Sequence, residues 1–581
     1  MPSVDDVTDE REIVADPIQR ARQLLARGDP AAAAAELRRV DAEKSVSPLR
    51  RFEWTFVDAE ILLSLGRLTA AEERAAAAKP GNAGQHSRLA LLFARIHAAR
   101  GDYATASATL AIAAQDVDAS ATNGDLARSM IAAAWHHARR VPGHRVAGRL
   151  REARDPSERA WWRLVDAVNG ALTTQGQRTA WRRWRLDHPN HAAARFVPPT
   201  LAGTDPGPAR IALFLPFAGR LKSAGETVRD GFLSAYFLSG ATSRQSIHLY
   251  DTTTAPIAAL YREAQRDGAD AMVGPLSKEH VADMWTLDPV IPTLTLNTVA
   301  VSETRRAHPI QFALTVEDEA RAIANRVVAD GWRRVIVLRN PENWTARAFA
   351  VLSEQLGPRP AGAERQRPVN GEGSRLVSTG VFVEGSDVTA VVGETLLIEA
   401  SKQRHAQIER LVGDEIEFTP RRRSDVDAVI ALVEGSQLAS LKPALAFHFA
   451  SDLPVYVSSQ AGRDVTNPDD LELLRICDMP WRLFPPQIKS ELREAFPNNH
   501  GTADTLFAFG LDAYRLVNQM TRLTTFTDTR IMGSTGILAL GTDGVIRREP
   551  VWALVKNGRF EPLAPVGATE PGNADLATAG R

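Results

Sequence analysis

The sequence predicts a multidomain fold: an all-α helical-repeat region followed by a bilobal α/β region. Three observations predict it. Glycines recur at near-constant spacing among Ala- and Leu-rich helical stretches before residue 200. From residue 209 onward, short apolar runs alternate with amphipathic ones. Those runs are too many for one compact sheet, which implies two doubly wound lobes with a cleft between them. At 581 residues and 44% hydrophobic, the chain has ample material for several cores. Lys+Arg total 69 against Asp+Glu 70, a net charge of −1, so no strong field gathers nucleic acid or an acidic membrane surface.

Taken in order, residues 1–16 come first. They carry six acids (Asp5, Asp6, Asp9, Glu10, Glu12 and Asp16) and few apolar groups, and read as a flexible tether. The start MPSVDDVTDE has neither a basic n-region nor an apolar h-region. Residues 17–201 read as helices in a loose repeat: 21-ARQLLARGDPAAAAAEL-37, 58-DAEILLSLGRLTAAEERAAAA-78 and 89-LALLFARIHAARGDYATASATL-110. Each passes from a Leu-rich helix through Gly and a polar residue into an Ala-rich helix. The glycines Gly28, Gly66 and Gly101 lie 38 and 35 residues apart. A helical hairpin of the tetratricopeptide kind repeats about every 34 residues, with small residues where its helices touch. Gly ends the first helix because it enters the left-handed conformation cheaply. The competing reading is an irregular helical bundle. Trp161, Trp162, Trp181 and Trp184 read as core and cap of the array, and 188-HPNHAAARFVPP-199 cannot continue a helix. The boundary is placed at 202–208.

The α/β region, residues 208–565, has expected strands at 210–216, 246–251, 270–275, 291–297, 333–340, 427–433 and 453–459. Helices are expected near 223–239, 256–267, 316–330, 342–357, 436–449 and 501–523. Residues 566–581 read as a disordered tail.

Ligands of open α/β sheets sit beyond the carboxyl ends of the strands. Four loops take that place: 216-PFAGRLKSAG-225, 250-YDTTT-254, 273-VGPLSKEH-280 and 296-LNTVAVSE-303. Gly219 and Gly225 permit a tight turn and a helix start that could cap an anion, against the plainer reading of ordinary strand–helix capping. The sequence contains no G-x-x-x-x-G-K-[ST], no G-x-G-x-x-G after a strand, no H-E-x-x-H and no G-x-S-x-G. No catalytic residue, cofactor or metal site is therefore expected. The lone Cys477 excludes an internal disulfide and a thiolate zinc cluster, and reads as a buried structural thiol. The acids 317-EDE-319 read as the charged first turn of a helix. In 420-PRRRSDVDAV-429, Arg421, Arg422 and Arg423 are expected to face Asp425 and Asp427, either as a solvated turn or as a contact with a protein partner.

The stretches 188-HPNHAAARFVPPTLA-202, 211-IALFLPFAGRLKSAGETVRDGFLSAY-236, 270-DAMVGPLSKEHV-281, 309-PIQFALTVEDEARAIA-324, 506-LFAFGLDAYRL-516 and 535-TGILALGTDGVIRREPVWALVKNGRFEPL-563 occur in this order. In them the chain resembles the penicillin-binding protein activator LpoA family. That family joins a tetratricopeptide-like domain to a bilobal domain resembling type I periplasmic binding proteins. The resemblance implies a lipoprotein on the periplasmic side of the outer membrane that binds and activates a class A penicillin-binding protein. Its only membrane contact would be a lipid anchor, whose cysteine and signal peptide the given sequence does not carry. The amino-acid-binding relatives place small hydroxyls after the third and fourth strands. Here 274-GPLSKE-279 puts Lys278 at such a position, followed by 297-NTVAV-301. Ser277, Lys278, Asn297, Thr298 and Tyr250 are thus expected to line a vestigial cleft that does not serve a free amino acid. The alternative is a periplasmic solute-binding protein holding a small ligand, such as a cell-wall fragment, between the lobes. An enzyme, for instance a hydrolase, fits least.

Overall fold

The computed structural model describes residues 16–39, 48–117, 121–203, 206–287, 289–300, 309–357, 374–383, 386–462, 471–497 and 501–563. The expected tether (all but Asp16) and the expected tail lie outside these residues. The helical half begins with paired helices, Pro17–Ala26 with Pro30–Leu37, Pro48–Ser64 with Leu68–Ala77, and Ala83–Ala99 with Tyr103–Ala113. Gly28, Gly66 and Gly101 end the first helix of each pair at φ of +81°, +72° and +80°. The residue after each glycine donates its N–H five positions back, to the carbonyls of Leu24, Leu62 and His97. This closure satisfies helix-end carbonyls that would otherwise lack donors. In the first and third pairs an aspartate then caps the next helix: Asp29 accepts from Ala32 N and Asp102 from Thr105 N.

Further helices at Ala121–Ala138, Gly143–Glu152, Pro156–Gly170 and Thr174–Asp187 complete this half. Trp161 and Trp162 are fully buried among them, as core residues. The indoles of Trp161 and Trp184 donate to Ser107 Oγ and Ala160 O, so burying them leaves no orphaned donor.

The first lobe of the α/β half is a parallel sheet of β1 (Arg210–Leu215), β2 (Ser246–Asp251), β3 (Ala271–Val273), β4 (Thr293–Thr295) and β5 (Ile310–Gln311), ordered β2-β1-β3-β4-β5. The second lobe contains β6 (Arg334–Arg339), β7 (Arg375–Val381), β8 (Ala428–Leu432), β9 (Val455–Val457) and β10 (Arg475–Asp478). The chain then returns to the first lobe for β11 (Ile531–Met532), β12 (Ile537–Leu540) and β13 (Ile546–Glu549), a small antiparallel sheet bridged to β5 through Gln311 and Val545. Finally β14 (Val551–Lys556) and β15 (Arg559–Pro562) add antiparallel strands to the second lobe, giving the order β15-β14-β10-β9-β8-β6-β7.

Every strand expected from the sequence is present, within a few residues at each end. The helix Thr502–Val517 locks the return to the first lobe by packing against Lys222–Leu238. A Cβ on Gly231 would lie 2.1 Å from Phe507 O, and one on Gly510 would lie 2.2 Å from Val228 O, so this approach admits only glycine at both positions. The two halves of the chain touch. Thr174 Oγ1 donates to Asn518 O (2.9 Å), Arg522 Nη1 to Gln177 Oε1 (2.6 Å) and Arg139 Nε to Arg530 O (3.1 Å).

Candidate functional site

The loops at the carboxyl edge of the first lobe are occupied with their own backbone. Ser277 Oγ accepts from His280 N at 3.2 Å, capping a helix over Lys278–Thr286. Lys278 is the first residue of that helix and is exposed. Asn297 Nδ2 donates to Leu276 O (3.0 Å), and its Oδ1 accepts from Thr298 N (2.9 Å). The structure thus brings the β3 and β4 loops together, with Asn297 fastening one to the other. Gly225 is explained by packing: a Cβ there would lie 2.1 Å from Pro216 O.

Tyr250 corrects the expectation. It is 6% exposed, stacks on Phe214 (5.0 Å between ring centroids) and donates to Asp267 Oδ2 at 2.6 Å, inside the core under the helix Ile257–Arg266. It lines no cleft.

The arginine run also differs from expectation in part. Arg423 pairs bidentately with Asp425 (2.6 and 2.8 Å), but Asp427 is taken by Arg334. Arg422 turns to Asp452 (2.6 Å) and to Phe449 O (3.1 Å). Arg421 is exposed. Partly exposed pairs of this kind contribute little to stability.

The most built cluster was not anticipated from the sequence. The chain crosses between lobes three times: at 312–315, between β10 and the helix Thr502–Val517, and at Pro550. One buried charge stands beside each crossing: Glu319, Asp478 and Arg548, exposed by 5%, 1% and 4%. Arg548 Nη2 meets Glu319 Oε1 at 2.9 Å, and Ser459 adds its N–H (3.1 Å) and Oγ (2.9 Å) to the same carboxylate. Asp478 accepts from Met479 N (2.7 Å) and pairs with Arg482 (3.0 Å). Burial, with Glu319 adding to it, pushes the Asp478 carboxyl up to about 6 against the pull of Arg482 and Arg548. Burial opposes the charge on Arg548, but Glu319, Asp318 and Asp478 outweigh it and hold its pKa above the usual value. The cavity among these groups measures about 40 Å³, room for a water or two and not for a solute. The second crossing carries another buried pair, Lys489 Nζ to Asp504 Oδ2 at 2.7 Å, with Trp481 Nε1 donating to the same carboxylate at 2.7 Å.

One signal for Arg548 was present. In 546-IRRE-549 the side chains alternate, so Arg548 shares the inward face of Ile546. Nothing in the sequence pairs it with Glu319 or Asp478.

The sequence profile of the family described as "LppC putative lipoprotein" matches residues 8–558, through both halves and all three crossings. The chain belongs to this family. Among curated relatives, "Penicillin-binding protein activator LpoA" of Photobacterium profundum is 27% identical over 398 residues, 66% of this chain and 62% of that one. The protein of the same name from Klebsiella pneumoniae is 28% identical over 345 residues, 56% of this chain and 46% of that one. The match thus spans less than two thirds of the length of these relatives. Among solved structures, full-length LpoA from Haemophilus influenzae aligns over 94% of both chains with TM-score 0.47 and 22% identity. In this LppC-family chain, Ser277 and Asn297, at the carboxyl edge of the first sheet where open α/β sheets take ligands, are bonded to their own loops.

Proposed function

We propose that this protein binds and activates a class A penicillin-binding protein, a bifunctional peptidoglycan synthase, without performing chemistry itself. The observation that carries the reading is the family match through both halves, joined to relatives whose name is penicillin-binding protein activator. The site supports it. Ser277 is spent on a helix cap and Asn297 on a tie between two loops, and the charged groups at the crossings are paired. The protein works on the periplasmic side of the outer membrane, held there by a lipid anchor. An activator of this kind acts by binding the active conformation of the synthase better than the resting one. Tenfold activation by that route needs about 1.4 kcal/mol of differential affinity, within reach of a modest interface. The test is lipid II consumption and peptide crosslinking by a purified class A synthase, with and without the 581-residue chain. Both rates, or glycan polymerisation alone, should rise. Unchanged rates together with no detectable complex would remove the proposal.

A further inference from the structure

The second lobe leaves large apolar side chains in solvent at two places. One borders a groove of about 410 Å³ between the helix Gly435–Phe447 and Leu473, with Lys442 and Glu472 on its walls, and charges of both signs select no partner there. The other is an arm. Between β7 and β8 the chain turns through Leu397, at φ +58°, into the helix Ile398–Val412, of which only Ile398 and Ser401 are buried. A non-glycine residue in the left-handed region costs free energy and persists where its surroundings hold it. Here Leu397 N donates to Glu394 O, and its carbonyl accepts from Ser401 N.

Residues 413–423 return along this helix and are stitched to it. Ile416 N donates to Glu409 Oε1 (3.3 Å), and Ile416 O lies 3.0 Å from His405 Nε2. Phe418 stacks on the His405 ring at 4.1 Å between centroids. Arg421 N donates to Ser401 Oγ (3.2 Å), and Arg423 N to Leu396 O (3.0 Å). The arm is thus a built element, and its far end is apolar. Ile408, Leu411 and Val412 are 50%, 86% and 58% exposed, at the i, i+3 and i+4 spacing that groups them on the helix surface. The two bonds of Ile416 bring it, also exposed, beside the same turns. No large apolar side chain among the described residues is more exposed than Leu411. Acids frame this tip. Asp414, Glu415 and Glu417, on either side of Ile416, are exposed and form no ion pair among the described residues. Residues 408–418 carry these three and Glu409 against Arg410 alone.

We propose that the tip of this arm docks on the synthase, entering an apolar groove edged by Lys or Arg. The proposal rests on the function proposed above and assigns it a surface. Shape and charge at the tip itself select this occupant. The tip is a convex helix end with apolar anchors at i, i+3 and i+4, the form that fills a groove on another protein and cannot enclose a solute. Its acids are complementary to cations around that groove. A second copy docked tip to tip would bring like charges together, and an anionic lipid surface would repel them. A base-edged protein groove attracts the tip through its apolar and its charged groups at once.

The experiment compares the 581-residue chain with Ile408→Gln/Leu411→Gln and with Asp414→Lys/Glu415→Lys/Glu417→Lys, each against a purified class A synthase. Glutamine is a good helix former and both side chains stand in solvent, so the glutamine pair should melt with the parent while its Kd for the synthase rises at least tenfold. The lysine triple should slow association several-fold, and its rate should no longer fall as salt is added. If the parent binds and activates the synthase and the glutamine pair binds equally well, the docking proposal falls and the function stands. If the parent binds no class A synthase at all, both fall. The glutamine pair could instead lose a concentration-dependent dimer, or binding to phosphatidylethanolamine–phosphatidylglycerol vesicles, with synthase affinity unchanged. The occupant would then be a second copy or a lipid surface, and the proposal is overturned. Should the glutamine pair melt lower, the lysine triple decides alone, and an unchanged association rate overturns it.

Discussion

Two concave regions of this molecule spend their residues in opposite ways. At the carboxyl edge of the first lobe, where open α/β sheets take ligands, Ser277 caps a helix and Asn297 ties two loops together. On the second lobe, Phe447, Phe449 and Leu473 stand exposed, two of them on left-handed backbone. Polar groups that satisfy one another do not need a ligand. Apolar groups held in water on strained backbone gain from being covered. The difference shows where to look for a partner: first on the outer surface, where apolar groups stand uncovered, and only then at the carboxyl-edge loops, where Ser277 and Asn297 already have partners.

The contrast depends on the lobes staying fixed, so the largest predicted effect concerns the crossings. Arg548→Met leaves the buried Glu319 carboxylate without its cation. Breaking one side of a buried pair costs about 3–5 kcal/mol, because the other charge stays buried. Urea unfolding of the variant should show that loss at unchanged slope. Adding Glu319→Leu should restore much of it, since an apolar pair of similar volume needs no counter-charge. A single variant within about 1 kcal/mol of the parent would mean the crossings are not held by this pair.

The next prediction uses pH at the same place. The Asp478 carboxyl titrates at about 6 in the folded protein against a usual value of 3.8. The folded state therefore holds the proton more tightly than the unfolded chain does. This group favours folding most below about pH 3.8, and its contribution is lost as pH rises through about 6. The loss is about 3 kcal/mol at 1.36 kcal/mol per unit. The groups facing it, Arg482, Glu319 and Arg548, are held constant in a comparison with Asp478→Asn. The parent should lose stability relative to that variant between pH 4 and pH 7. Parallel pH profiles would show that Asp478 is not the titrating group.

How much of this was legible in the sequence follows from the range of the interactions. Most of the expected strands were found because each is a short apolar run buried on both faces, a local signal, whereas β2, with His248 and Leu249 exposed, was legible by its β-branched and aromatic residues alone. β7 was missed because its residues are mostly half-buried and offer no clean alternation. β14 and β15 pair antiparallel at the sheet edge after a long excursion through the first lobe, which no local window records. The helix Lys278–Thr286 was read as ligand loop although Ser277, Glu279, Val281 and Met284 spell cap, acidic first turn and buried face. Tyr250 does not belong with the loop after β2, because its side chain alone at that end of the strand enters the core, while Asp251 turns to Thr253 in the loop. The crossing cluster was illegible for a deeper reason. Its three charges lie far apart in the sequence, and only the closed fold brings them together.

The smallest expected effect is the most direct attempt to break the comparison, and it also tests the solute-binding alternative. A panel of common amino acids and cell-wall peptide fragments should leave the melting temperature of the 581-residue chain unchanged. A live site would stabilise the fold by RT ln(1 + [L]/Kd), about 2.7 kcal/mol at a hundredfold excess over Kd. Against that, two of the polar side chains at hand are already committed: Ser277 Oγ to His280 N, and both side-chain polar atoms of Asn297 to Leu276 O and Thr298 N. A carboxylate or ammonium entering there would have to break a helix cap and the tie between two loops before making its own bonds. Each would cost about 1 kcal/mol or more, with no net gain in hydrogen-bond count. A saturable shift that disappears in Asn297→Ala would show that the loops open for a ligand, and would return the cleft to the centre of the mechanism. A saturable shift that survives Asn297→Ala would place the ligand elsewhere. The groove between the helix Gly435–Phe447 and Leu473 on the second lobe would then be the first alternative to test, through Leu473→Gly.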